Sequence, residues 1–157
     1  MPAAPAVPAA PDAPLGPARW DVLPGRPWAG LATGTHRLRL VQGANCRTTA
    51  ALFAEWAGAL AFPGYFGHNW DAFEECLNDA LHPPGTDSAA PLLVLVADAD
   101  ALLADEPPRQ LTTFLSILDA SAAATPTTGS PLRVLFTTAP AAEAATADRL
   151  RSAARTV

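Results

Sequence analysis

Asp71, Glu75 and Asp79 stand four residues apart in the stretch 62–79, FPGYFGHNWDAFEECLND, which also holds Glu74 and contains no Lys or Arg. An ionised carboxylate only accepts hydrogen bonds, and it can take a guanidinium through two parallel bonds, as a phosphate does. The chemistry such a row offers is recognition of a basic partner, set beside the plainer reading of a solvated acidic surface. Catalysis is poorly served by the same residues. His68 near Asp71 admits an acid–base couple, against which stands an ordinary loop histidine. Cys76 falls among apolar positions with no base beside it, which marks a buried structural thiol rather than a nucleophile. Asp98 and Asp100 follow an apolar run and read as caps for the residues from Ala101 onward, with Mg²⁺ ligation as the alternative. No glycine-rich phosphate loop accompanies them. The expectation is a binding protein and not an enzyme, with no cofactor and no metal site.

The elements that must position the acids are legible around them. Pro63-Gly64 and Gly67-His68-Asn69 punctuate the backbone, and Asn69 is placed to cap a helix. From Trp70 the periodicity is helical: Trp70, Phe73, Cys76, Leu77 and Ala80 form an apolar face, and Asp71, Glu75 and Asp79 form the opposite row. Each like-charged pair four apart costs a helix about 0.2–0.5 kcal/mol. Asp71 gains from the helix N-terminus, whereas Asp79 sits at the unfavourable end. Phe73 at this spacing reads as core. Trp70 in the first turn reads equally as core or contact, and Tyr65, between glycines in a loop, reads as an interface anchor.

Upstream, His36–Val41 alternates and reads as a strand, and Thr48 or Thr49 caps a helix reaching Leu60 with Leu52, Phe53, Trp56 and Leu60 inward. Downstream, Pro91–Val96 is a continuous apolar run suited to a strand buried on both faces. Gln110 to about Ala123 is helical, Pro131–Thr137 is a second buried strand, and Glu143–Ala154 is a further helix. Strands separated by helices imply parallel pairing, hence an α/β fold with a small three-stranded parallel sheet and helices packed on it.

The 157 residues fit one domain with tails. Residues 1–18 are an Ala/Pro-rich tail expected to be disordered, 19–34 an irregular extension, 35–138 the folded domain, and 139–157 a tail or short helix. The net charge of −5 is unevenly spread. Between Arg47 and Arg109 lie ten of the fifteen acids and no Arg, and the chain has no Lys at all. An acidic centre argues against nucleic acid as a partner and for a basic protein steered in by the field. No apolar run is long enough to span a bilayer, no signal peptide is evident, and the two cysteines make neither a disulfide framework nor a zinc site. These features together lead us to expect a cytoplasmic protein, monomeric before it meets its partner.

Tyr65-Phe66-Gly67-His68-Asn69-Trp70-Asp71-Ala72-Phe73-Glu74-Glu75-Cys76-Leu77 resembles the signature of the barstar family of ribonuclease inhibitors. Roughly residues 35–138 follow that family's order of elements. The resemblance implies a small α/β domain that acts by binding. Its loop and helix enter a ribonuclease active site, and carboxylates there replace RNA phosphates. By position, Tyr65 and Phe66 match the two contact aromatics, Asn69 and Trp70 the loop-to-helix junction, and Asp71 the first inhibitory carboxylate. Glu75 falls where the family prototype has its principal Asp, and Glu74 where it has an aromatic. Asp119 lies in the neighbourhood of a further inhibitory acid. The implied partner is a basic ribonuclease or related toxin. The alternative is an immunity or adaptor module that binds another basic protein.

Overall fold

The computed structural model describes residues 20–24, 37–82, 91–123 and 132–155. The Ala/Pro-rich tail and most of the 19–34 extension, with Trp28 and Leu31, lie outside the described residues. Four strands, β1 (Trp20–Pro24), β2 (Arg37–Gln42), β3 (Leu92–Ala97) and β4 (Leu132–Thr138), form one sheet in the order β1-β4-β3-β2. All three pairings are parallel, so β2, β3 and β4 make the expected parallel sheet. β1 adds a fourth strand from a segment that the sequence marks as irregular. Its Trp20 to Pro24 pair with Val134 to Thr138, and Val22 is buried. A pattern broken by Pro24 and Pro27 hides a strand that takes its order from its neighbour β4, and edge positions tolerate proline.

Four helices connect and cover the strands: α1 (Thr49–Leu60), α2 (Trp70–Leu81), α3 (Pro108–Ala123) and α4 (Glu143–Arg155). Thr48 caps α1, its hydroxyl oxygen accepting from the Ala51 N–H at 3.2 Å. β3 is buried at every position, as a central strand of a covered parallel sheet must be. Leu92, Val94 and Val96 join Val134 and Phe136 in one core with Phe53 and Trp56 of α1, Phe73 of α2 and Phe114 of α3. The aromatic rings meet edge to face there: Trp56 lies 5.4 Å from Phe114 and 5.5 Å from Phe73. α4 carries Ala147, Leu150 and Ala153 into the same core, so the C-terminal segment is a structural helix.

The loops at the carboxyl ends of β2 and β3 are stitched to each other. The Leu103 N–H donates to the Cys46 carbonyl at 2.7 Å and the Asp105 N–H to the Arg47 carbonyl at 3.0 Å. The Arg47 guanidinium grips Asp105 through two bonds of 3.0 and 2.9 Å. Gly43, buried after β2, packs so closely that a Cβ there would fall 2.5 Å from the carbonyl oxygens of both Ala97 and Asp98. Both obstacles are backbone, which cannot rotate away. Gly43→Ala is therefore expected to lower the unfolding free energy by about 1–3 kcal/mol, as other overpacking changes do, measurable by urea denaturation.

Candidate protein-binding face

Phe73, Cys76, Leu77 and Leu81 of α2 are buried, so the helix turns Asp71, Glu75 and Asp79 to the solvent. Asp71 to Asp79 spans about 12 Å along the axis at 1.5 Å per residue. Among the described residues no ion pair involves any of the four acids of α2; the single pair is Arg47–Asp105. Glu74 is half-buried on the flank of the helix, so the outward row consists of the other three.

The start of this helix is tightly fixed. Asn69 Oδ1 accepts from the Ala72 N–H at 2.8 Å, while its Nδ2 donates to the Gly67 carbonyl at 3.2 Å. One side chain thus caps α2 and closes the turn that precedes it, as the sequence indicates for Asn69. The Trp70 Nε1–H donates to Gln110 Oε1 at 2.8 Å, latching the first turn of α2 to the first turn of α3. Its ring packs edge-on against Phe53 at 4.9 Å and Phe73 at 5.7 Å. Trp70 is half-buried, and its ring packs on the core as one of its two readings expects. At the far end, Arg37 Nη1 donates to the Ala80 carbonyl at 3.0 Å, placing a cation where the helix C-terminus carries partial negative charge.

The loop before α2 divides its aromatics. Tyr65 is 77 % exposed, whereas Phe66 is only 7 % exposed. Phe66 lies edge-on to Phe53 at 5.8 Å and Phe62 at 5.2 Å. Of the two residues aligned with contact aromatics, one projects and the other anchors the loop from beneath. The Phe66 N–H donates to the Pro63 carbonyl at 3.0 Å and closes a turn with Gly64 and Tyr65 at its tip, so Tyr65 projects while Phe66 packs against Phe53 and Phe62. His68 stacks on the Phe66 ring at 4.8 Å and adopts a left-handed backbone with φ of 51°. Among the described residues no hydrogen bond joins it to Asp71. The imidazole covers an aromatic ring, which removes the geometric basis for an acid–base couple.

Asp119 is exposed on α3, nine positions beyond Gln110 and so about 13.5 Å further along that helix. Asp98 is exposed in a left-handed conformation at the end of β3, and its side chain makes no capping bond to the short 3₁₀ turn Ala99–Ala101. The capping role read for it in the sequence is filled by its backbone: the Asp98 carbonyl accepts from the Ala101 N–H at 3.0 Å. Among the described residues no three His, Cys, Asp or Glu side chains gather as metal ligands.

Both cysteines are free and buried. Burial, with Glu55 adding to it, pushes the Cys46 thiol up to about 12. The Cys46 Sγ–H donates to the Gln42 carbonyl at 3.3 Å. Burial also raises the Cys76 thiol, reinforced by Asp79 and then Glu75 across the helix. Neither is poised as a thiolate nucleophile.

A family model described as Barstar (barnase inhibitor) matches residues 36–137. The chain belongs to the barstar family. The matched segment takes in β2, β3, nearly all of β4, the Tyr65 loop and all of α2, and leaves out β1 and α4. Barstars are described as inhibitors, and at the family level this chain is barstar-like in that sense. No curated protein matches the chain. Among solved structures, a chain from "Structure of Drosophila ORC bound to AT-rich DNA and Cdc6" aligns at 15 % identity with a TM-score of 0.40, over 85 % of this chain and 44 % of that one. This chain therefore spans less than half the length of that protein. No helix of the described residues is long and apolar enough to cross a membrane.

Gln110, Arg37 and Glu55 hold this barstar-family site in place, yet no local signal marks them. Each works through a partner many residues away, Gln110 through Trp70, Arg37 through Ala80, and Glu55 through the Gln42 N–H at 2.9 Å. Gln110→Ala is expected to lower stability by about 0.5–1.5 kcal/mol, the usual net worth of one such bond, and to red-shift the Trp70 fluorescence as the indole N–H turns to water. The raised thiol gives a pH expectation. The unfolded chain loses the Cys46 proton near its ordinary value of 9.0, while the folded chain holds it to about 12. The resulting stabilisation is complete below pH 9 and is lost as pH rises from there toward 12. Native protein at pH 8 should leave Cys46 unlabelled by iodoacetamide, with labelling appearing on denaturation.

Proposed function

We propose that this chain binds a basic ribonuclease or related toxin and blocks its active site, protecting the producing cell from within its cytoplasm. The carboxylates of Asp71 and Glu75 take the place of RNA phosphates among the enzyme's arginines and lysines. Tyr65 packs over the mouth of the cleft, and Glu74 adds charge at the edge. Asn69, Trp70 and Phe66 hold the loop and helix in register beneath them. Asp119 would contribute only to a partner that reaches along α3.

One observation carries this reading. The exposed acids of α2 have no cationic partner among the described residues, and they lie beside a tyrosine that projects from an otherwise anchored loop. A helix that bears like charges four apart and leaves them unneutralised gives up stability. A cationic partner would recover it, and bonds to charged groups are the stronger ones. Membership of a family described by an inhibitor of barnase supports the same class of partner. Glu75, longer by one methylene than the family's Asp, would reach further into the cleft and so tune which nuclease fits.

The test is calorimetric titration against a panel of basic ribonucleases at low ionic strength, with RNA cleavage assayed in parallel. The expected result is stoichiometric binding with loss of cleavage, weakening as salt screens the charges. Asp71→Ala and Glu75→Ala should each reduce affinity by about ten- to 150-fold, the loss of one charged hydrogen bond at roughly 1.5–3 kcal/mol. Absence of binding to every ribonuclease would defeat the nuclease assignment. Capture of a basic protein that does not cleave RNA would point instead to the adaptor role. Tight binding by the double variant would end the phosphate-mimic mechanism.

A further inference from the structure

A cavity of about 260 Å³ lies at the open edge of the sheet, between β2, the C-terminal turn of α1 and the C-terminal half of α2. Leu60, Phe62, Leu92 and Cys76 give it apolar walls, and Arg37 and Arg39 enter from β2. The two arginines are two residues apart on one strand and so share a face of the sheet. Burial lowers the Arg37 pKa, and the positive charge of Arg39 lowers it further. Two guanidinium groups therefore stand near each other beside a hydrocarbon surface, in a chain whose net charge is −5. Arg39 is exposed, and its Nη1 bonds only the neighbouring Leu38 carbonyl at 2.9 Å. Among the described residues no carboxylate pairs with it.

We propose that this cavity is a binding site for a small organic monoanion, a carboxylate on a short hydrocarbon body. The carboxylate would meet the fork of Arg39 at the mouth, and the hydrocarbon would lie against Leu60, Phe62 and Leu92. Four features select that class. The volume falls below the roughly 300–1,000 Å³ of pockets that take drug-sized ligands, which suits a smaller one. The apolar walls disfavour a fully hydrated anion such as inorganic phosphate, whose desolvation nothing in the walls offsets. The Asp79 carboxylate also lines the cavity and repels anionic charge, so a ligand with one negative charge is opposed less than one with two. The guanidinium fork of Arg39 suits the planar, bidentate geometry of a carboxylate. The cavity shares Asp79 with the outward row of α2, and Ala61 to Pro63, the first residues of the Tyr65 loop, form part of its wall.

The experiment is an amide chemical-shift titration of the intact chain with hexanoate, with hexanol and inorganic phosphate as controls. Hexanoate should give saturable shifts centred on residues 37–41, 60–63 and 76–80, whereas hexanol and phosphate should bind at least tenfold more weakly. Arg39→Gln, at an exposed position, should keep the melting temperature and weaken hexanoate at least tenfold. Arg39→Lys, which keeps the charge without the fork, should fall between. Shifts elsewhere in the molecule, equal binding of hexanol, or unchanged affinity in Arg39→Gln would each overturn the proposal. None of these readouts depends on a ribonuclease, so the cavity and the acidic face stand or fall separately.

Discussion

Burial of Phe73 sets the rotation of α2 about its own axis. Its ring is fully enclosed, 5.9 Å from Phe53, 5.5 Å from Trp56 and 6.0 Å from Phe114. Truncating such a side chain costs about 3–5 kcal/mol, far more than any single surface charge contributes. With Phe73 held, Cys76, Leu77 and Leu81 must follow it inward by the helical period, and Asp71, Glu75 and Asp79 must face out. The repulsion within the acidic row, a few tenths of a kcal/mol per pair, is too small to turn the helix over. The core thus decides the presentation of the charges.

The same core reaches the loop. Phe66 and Phe62 extend the aromatic cluster outward from Phe53, and His68 closes it from above. Anchoring Phe66 leaves Tyr65 little choice but to project, and a projecting aromatic on a fixed backbone loses little entropy when a partner covers it. Asn69 and the Trp70–Gln110 bond carry this rigidity into the first turn of α2. Tyr65 and Asp71, six residues apart, are both exposed on backbone that is fixed from beneath before any partner arrives. Preorganisation of this kind is what a barstar-like inhibitor requires if its carboxylates are to substitute for phosphates in a cleft shaped for RNA.

The charges divide between two regions. The acids of α2 face outward without described partners, while arginines occupy structural posts: Arg47 ties two loops through Asp105, and Arg37 terminates α2 at the Ala80 carbonyl. The edge of β2 is guarded by polar groups, with Glu55 accepting from the Gln42 N–H and Arg39 covering the Leu38 carbonyl. Leu38 and Leu40 remain exposed there, Leu40 by 46 %. Edge strands shielded in this way are poor templates for adding another strand.

Periodicity and turn chemistry in the sequence determined by themselves the helix from Trp70, its Asn69 cap, the inward Phe73, the outward acids and the three parallel strands of the central sheet. These follow from local rules, because residues within one turn or one strand share a geometry before any tertiary contact forms. Tertiary structure alone decided the pairing of Trp20–Pro24 with β4, the burial of Phe66 beside an exposed Tyr65, the Trp70–Gln110 latch and the cavity under Arg39. Each of these joins different elements, from Phe66 and Phe53, 13 residues apart, to Trp20 and Val134, 114 apart. Where Phe66 goes depends on the ring of Phe53 in α1, and whether five residues near Trp20 become a strand depends on β4 offering its edge. No local pattern carries that information; only chain closure supplies it.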